Sequence, residues 1–364
     1  MPVIPAERLL SFTCEIFRSA GSSAEDAALV SDHLVEANLA GVDSHGVVRV
    51  PEYVGKLELW KKEAATGSGG EGAPSSPRLN PDARVRTVRE TPTTAVVDGD
   101  WGFGQVCATA AMKLAIAKAR SYSVAFVAGR HTDHVGRAAA YPLMAAREGL
   151  IGMTFVMVNP VMVPQGGRAA LLGNNPISVA IPSGTPGKPI FVDVAMSVVA
   201  GGRIIVAQDK GERIPEGWAV DSSGRPTTDP LDFTQRGGAL LPVGGHKGYA
   251  LSLVSETLGG ILSGAGALSH LESNNAFMHV ALDVGAFLPL PEFEAQVRQM
   301  VSEIRASPRR VPEEEILVPG DPEYRMMERR RREGIPLPEK TWRDIAAVAE
   351  RYGVTPPPSS PPAS

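Results

Sequence analysis

The sequence predicts an α/β protein, and three observations carry that reading. Short β-rich runs recur through the middle of the chain, at residues 93–97, 123–127, 151–158, 177–181 and 190–194. Helical runs at about 105–120 and 137–147 lie between some of them, and amphipathic helical runs occupy both ends. The chain is 364 residues long, 43% hydrophobic and 21% charged, which is enough apolar surface for two to three domains or lobes.

Taken in order, residues 5–18 place Leu9, Leu10, Thr13, Ile16 and Phe17 on one helical face, with Pro5 near the first helical position and Gly21 as the stop. Ser23 with Asp26 resembles a capping box, opening an amphipathic helix whose apolar face is Ala27, Val30, Leu34 and Ala37. Gly41 ends that helix, so "GVDSHGVVRVPEY" follows a helix end directly. Residues 66–82 are poor in large apolar side chains and read as a surface loop or flexible insertion. A largely apolar helix is expected over 247–263 and a strand over 277–282. Residues 291–306, 322–333 and 338–352 read as charged amphipathic helices, and the tail "TPPPSSPPAS" as disordered. No internal repeat is evident.

Composition narrows the partners. A net charge of −4 gives no reason to expect a nucleic-acid or membrane-surface partner. Cys14 and Cys107 are the only cysteines, so a disulfide framework is not expected and a reducing, cytoplasmic setting is. The N-terminus lacks the pattern of a secretory signal, and no apolar run is long enough to span a bilayer.

Five segments carry chemistry or imitate it. Gly67, Gly69 and Gly72 satisfy G-x-G-x-x-G, but a helix-like stretch precedes them and "APSSPRLNP" follows, so both context requirements of a dinucleotide loop fail. His131 and His134 have metal-pair spacing without a complete ligand set, so no metal is expected; they follow an apolar strand, where loops present side chains to ligands or simply cap a helix. "PQGGRAALLGNNPISVAIP" offers a glycine- and asparagine-rich backbone that suits a phosphate or a carboxamide, or a tight turn. Asp193 lies in an apolar strand and needs a partner, either a histidine to orient or the backbone. Gly244, Gly245, His246, Lys247 and Gly248 precede a helix, a position suited to anions, with Lys247 facing a phosphate or solvent.

In their common order, "GVDSHGVVRVPEYV", "VRETPTTAVVDGDWGFGQ", "HVGRAAAYPLMAAREGLIGM", "GGRAALLGNNPISVAIP", "GWAVDSSGRPTTDP", "HKGYAL" and "VPGDPEYR" resemble the malate/L-lactate dehydrogenase family. These are NAD(P)-dependent 2-oxoacid reductases unrelated to the Rossmann-type lactate and malate enzymes. Relatives include ureidoglycolate, sulfolactate and diketogulonate enzymes and an imine reductase acting on piperideine-2-carboxylate. The resemblance runs from about residue 3 to 352. It implies a non-Rossmann fold with a mixed-sheet cofactor domain over 83–285. A helical domain would be built from 1–82 and 286–353, leaving 354–364 as a tail. It also implies a homodimer with the active site at or near its interface.

Residue by residue, the resemblance implies that His45 is the proton donor to the substrate carbonyl, with Ser44 beside it and Asp193 as its acidic partner. His134 matches a second histidine considered an acid or base, and Arg49 and Tyr53 match positions near the substrate carboxylate. Leu172, Gly173, Asn174, Asn175, Pro176 and Ile177 resemble a cofactor loop. Pro319, Gly320 and Asp321 resemble a turn that closes on the nucleotide, and Lys247 falls within the matching "HKGYAL". The chain departs from the family where Asn174 replaces Thr, Gly201, Gly202 and Arg203 replace Arg-Gly-Lys, and Asp321 replaces Glu. "TDHVG" stands for the usual SNHFG. NAD and NADP both remain open as cofactor. The chemistry fits: a histidine pKa can be placed near the operating pH, and a guanidinium grips a carboxylate through two hydrogen bonds.

Overall fold

The computed structural model describes residues 1–66, 79–271 and 275–358. Glycines 67, 69 and 72, most of the expected 66–82 insertion and the last six residues of the tail lie outside them. Strand β1 (Val3–Ile4) leads into α1 (Ala6–Ser19), which buries Leu9, Phe12, Thr13, Ile16 and Phe17 and leaves Leu10 half-covered. The Ser23 side chain accepts from Asp26 N–H at 3.0 Å and opens α2 (Ala24–Leu39). That helix is not the two-sided one its pattern suggests. Ser31, His33, Val35 and Asn38 are buried along with the expected apolar face, because α1 and four later elements pack around it.

Gly41, at φ 80°, ends that segment, and α3 (Val50–Thr66) follows the "GVDSHGVVR" stretch. Then come β2 (Arg86–Glu90), β3 (Thr94–Gly102), α4 (Gly104–Tyr122), β4 (Val124–Thr132), α5 (Ala140–Arg147), β5 (Leu150–Val158), β6 (Ile177–Ile181) and β7 (Ile190–Val194). Next are α6 (Gly201–Lys210), β8 (Ala219–Val220), β9 (Pro226–Thr227), α7 (Pro230–Thr234), β10 (Ala239–Leu240) and α8 (His246–Ser255). The chain finishes with β11 (Asn275–Asp283), α9 (Leu290–Ala306), α10 (Asp321–Glu333), β12 (Ile335–Pro336) and α11 (Glu339–Arg351).

Seven strands form one sheet in the order β2-β3-β4-β11-β5-β6-β7, with β3 and β4 parallel and the other neighbours antiparallel. Side chains alternate across each strand, so one face carries Val97, Val127, Val156 and Phe277 onto α4 and α5. The other presents Ala128, Phe155, Met278 and Val280 to Leu258. A second core, including Leu9, Leu34, Tyr53, Leu57, Ile335 and Ile345, joins the helices of both chain ends. Pairing of Val3 with Pro336 and Ile4 with Ile335 ties those ends together.

Three expectations change. The helix expected over 247–263 is α8 followed by a wider-wound segment, Glu256–Ile261, in which Gly260 approaches the backbone of Gly266 too closely for a side chain and Gly259 lies tightly against that of Phe155. The helix expected from 137 begins at Ala140, since residues 137–139 turn to meet other elements. Helix α6 (Gly201–Lys210) was not anticipated, two glycines at its start being poor helix formers.

Candidate active site

The segment after α2 is clamped before it presents anything. Asn38 donates to Asp43 at 2.6 Å and accepts Val47 N–H at 2.8 Å. Arg330 of α10 pairs with both Asp43 oxygens, at 2.6 and 3.0 Å, and donates to the carbonyl of Asn38. Two short 3-10 turns result, Asp43–His45 and Val47–Arg49. They set Ser44 Oγ 3.0 Å from His45 Nδ1 and let Arg49 Nε donate to Ser44 O at 2.8 Å.

The loop after β4 supplies the other wall. The rings of His45 and His134 stack with centroids 5.3 Å apart and planes 28° from parallel. His134 Nδ1 lies 2.7 Å from the Tyr53 hydroxyl, which accepts from Gln105 Nε2 at 2.9 Å. His131, its near neighbour in sequence, turns elsewhere and bonds Asp98 at 2.8 Å, so the two are not a metal pair here. An ionic chain flanks the histidines: Arg49 to Glu52, Glu52 to Lys56 and Lys56 to Asp133, each 2.8 Å.

Both histidines are held neutral near pH 7. Water reaches part of the His45 ring, but protein atoms enclose most of it. That burial, followed by Arg49, His33 and Arg137, lowers its pKa to about 3. His134 is pushed well down, first by burial and then by His45 and Arg49.

Asp193 lies on the edge strand β7, opposite Ser178 of β6. It keeps solvent-exposed surface, and partial loss of surrounding water raises its pKa to about 6 against the opposing pull of Arg137. Its oxygen accepts Ala139 N–H at 3.0 Å. No hydrogen bond joins it to His45 among the described residues: the turn before α5 offers the nearer donor, and His45 Nδ1 is engaged by Ser44. What the two groups share is the electrostatic influence of Arg137, whose Nε and Nη1 are buried without a partner and whose guanidinium lies 5.2 Å from the Phe191 ring centre. Tyr53, expected near the substrate carboxylate, is fully buried, with its hydroxyl bonded to His134 Nδ1 and Gln105 Nε2.

The expected cofactor segments converge on the same strand. Asn175, at φ 29°, accepts Val158 N–H at 3.0 Å and donates to Ser252 Oγ (2.9 Å) and Glu256 (3.0 Å), pinning the loop 172–177 to α8. Asn174 O accepts Met196 N–H at 2.7 Å, and Leu172 is buried, while Gly173, Pro176 and Ile177 carry the backbone into β6. Pro319 O accepts Phe191 N–H at 3.4 Å, and a Cβ on Gly320 would touch the Phe191 ring, so the 319–321 turn lies beside β7. Asp321 is committed to Arg305, 2.9 Å away. Val243 N–H reaches Met196 O at 2.8 Å, bringing the start of α8 alongside, where Lys247 is exposed with no carboxylate partner among the described residues. Helix α6 joins them, since a Cβ on Gly202 would stand 3.1 Å from Ser44 Cβ.

Gln105, Arg137 and His33 escaped the sequence reading. His33 accepts Arg137 N–H at 2.9 Å and stacks on Tyr141. Arg137 alone carried a signal, a guanidinium in the otherwise apolar "VGRAAAY".

The family model for malate/L-lactate dehydrogenase matches residues 4–66 and 74–346, and the chain belongs to that family. It is 39% identical to a malate dehydrogenase of Pyrococcus abyssi, over 96% of this chain and 95% of that one. It is 35% identical to an L-sulfolactate dehydrogenase of Methanothermobacter thermautotrophicus, over 96% and 97%. The malate dehydrogenase structure from Pyrococcus horikoshii superposes with a TM-score of 0.83 at 36% identity, over 97% and 96%. A delta1-piperideine-2-carboxylate reductase from Pseudomonas syringae superposes at 0.80 with 28% identity, over 96% and 100%. The protein is an oxidoreductase of the malate/sulfolactate dehydrogenase type.

Proposed function

We propose that the protein interconverts a small 2-oxo acid, malate- or lactate-like, and its 2-hydroxy acid, using NAD or NADP, with His45 as proton donor and acceptor. The observation that carries this is the stacked His45–His134 pair beside Arg49, a neutral base next to a guanidinium in a partly enclosed cleft. A nicotinamide cofactor supplies and takes up the hydride. The residues present suit it: the uncompensated ammonium of Lys247 on the first turn of α8 complements a phosphate, and residues 172–177 and 319–321 offer backbone on either side.

In oxidation, His45 takes the proton of the substrate hydroxyl. Its lowered pKa keeps the accepting lone pair free. In reduction it must carry that proton, and an anionic substrate beside Arg49 favours the imidazolium through its opposite charge. Ser44 orients the His45 ring, Arg49 grips the substrate carboxylate, and Asp193 acts on His45 through the field of Arg137, which both groups feel. Tyr53 acts through His134. A second copy of the chain completes a homodimer, a reading supported by exposed Leu251, Val254, Ile261 and Leu262. Free Cys14 and Cys107 accord with a reducing cytoplasm.

The Pseudomonas syringae neighbour favours a second reading, reduction of a cyclic imine acid in the same cleft. A panel of malate, lactate, pyruvate analogues and piperideine-2-carboxylate, each with the NAD and NADP couples, is read at the nicotinamide absorbance. Turnover of 2-hydroxy or 2-oxo acids is expected, and His45→Ala should lower kcat by at least about a hundredfold while cofactor affinity stays within about twofold. Activity with the imine alone would support the second reading. Cofactor binding without turnover of any compound would mark a silent scaffold and overturn both.

A further inference from the structure

The fully buried Gln105 sits at the start of α4 behind Tyr53, with its Nε2 2.9 Å from the hydroxyl and its Oε1 without a partner. A hydroxyl has one proton to give. Gln105 already directs an N–H at that oxygen, so His134 Nδ1, 2.7 Å away, is the acceptor left for the hydroxyl proton among the described residues. The nearby charges are otherwise engaged: Asp133 and Glu52 hold Lys56, and Glu52 also holds Arg49. Burial pushes the Tyr53 pKa well up and that of His134 well down, so the hydroxyl keeps its proton and the imidazole stays neutral.

We infer that Gln105 is a positioning residue for the reaction: its amide turns the Tyr53 hydroxyl proton onto His134 Nδ1, so that His134 presents an N–H, and not a lone pair, at Nε2. This rests on the dehydrogenase reading of the cleft and divides the labour within it. His134, stacked on His45 at 5.3 Å, is then a fixed hydrogen-bond donor to the substrate oxygen, and proton exchange falls to His45. The three residues come from α3, the start of α4 and the loop after β4, so the device exists only in the folded chain.

The test reads the tautomer directly, by nitrogen-15 NMR of the imidazoles in the full chain without substrate, with His134 assigned by loss of its signals in His134→Gln. An unprotonated Nδ1 and a protonated Nε2 are expected; the reverse overturns the inference. In Gln105→Glu the ionised carboxylate takes the Tyr53 proton and His134 must donate from Nδ1. The tautomer should therefore reverse, with a fall in kcat of about a hundredfold at unchanged cofactor KM. Gln105→Leu removes the N–H that turns the hydroxyl and should populate both His134 tautomers; the single wild-type tautomer in that variant would overturn the positioning role. An unchanged tautomer in Gln105→Glu up to about pH 9, where even a buried carboxyl ionises, sinks the proposal. Because the tautomer needs no turnover, a wrong substrate assignment leaves this measurement standing.

Discussion

A Cβ on Gly46 would stand 2.3–2.5 Å from the side-chain amide of Asn38. Asn38 holds Val47 N–H and Asp43, the two bonds that fold the segment around His45. Gly46→Ala therefore displaces the clamp, and overpacking alone should cost about 1–3 kcal/mol. Its kcat should fall at least about tenfold, because a small misplacement of a reacting group is expensive. A variant with wild-type thermal midpoint and turnover would refute the idea that this close approach sets His45. Gly46 has an ordinary negative φ, so the requirement is for space and not for a left-handed backbone. That distinction is invisible in "DSHGVVR", where nothing shows what the glycine would touch.

At the scale of elements, the edge strands carry the site. The runs 177–181 and 190–194 were legible from their β-branched residues and reappear as β6 and β7 with those bounds. Strand β2 was missed because every one of its residues is exposed and no buried face marks it. The loop before β6 depends on Asn175, whose side chain bonds two elements at once. Asn175→Ala strands Val158 N–H and leaves the buried Glu256 carboxyl with Gly173 N–H in place of two donors, which should lower stability by about 1–3 kcal/mol in urea unfolding. Cofactor affinity should fall with it, by about tenfold on titration. An unaltered unfolding midpoint would show that the loop holds itself.

For the whole molecule, the buried neutral histidines set the response to acid. His33 and His279 are buried in separate parts of the structure with pKa values lowered to about 3 by burial. A depressed folded pKa gives stability that is complete above the unfolded value of 6.5 and is lost as pH falls from there toward 3. Each histidine should remove about 1.4 kcal/mol per pH unit in that window. The thermal midpoint should therefore be steady above about pH 7 and drop steeply below about pH 6. A flat profile between about pH 7 and 5 would mean these histidines are not held neutral.

By itself the sequence determined the α/β class, most of the elements and, through motif order, the family and the neighbourhood of His45. Those signals are local: a helix shows in spacing of three and four residues, a strand in alternation, a turn in its glycine. Only the tertiary structure decided that, among the described residues, Asp193 bonds the turn before α5 and not His45, that Arg137 is buried without a partner for its Nε and Nη1, and that Gln105 reaches His134 through Tyr53. Partners far apart in sequence leave no periodic trace. Which polar group a buried donor meets is settled by how two cores pack against each other, and by the cost of leaving any donor unmet.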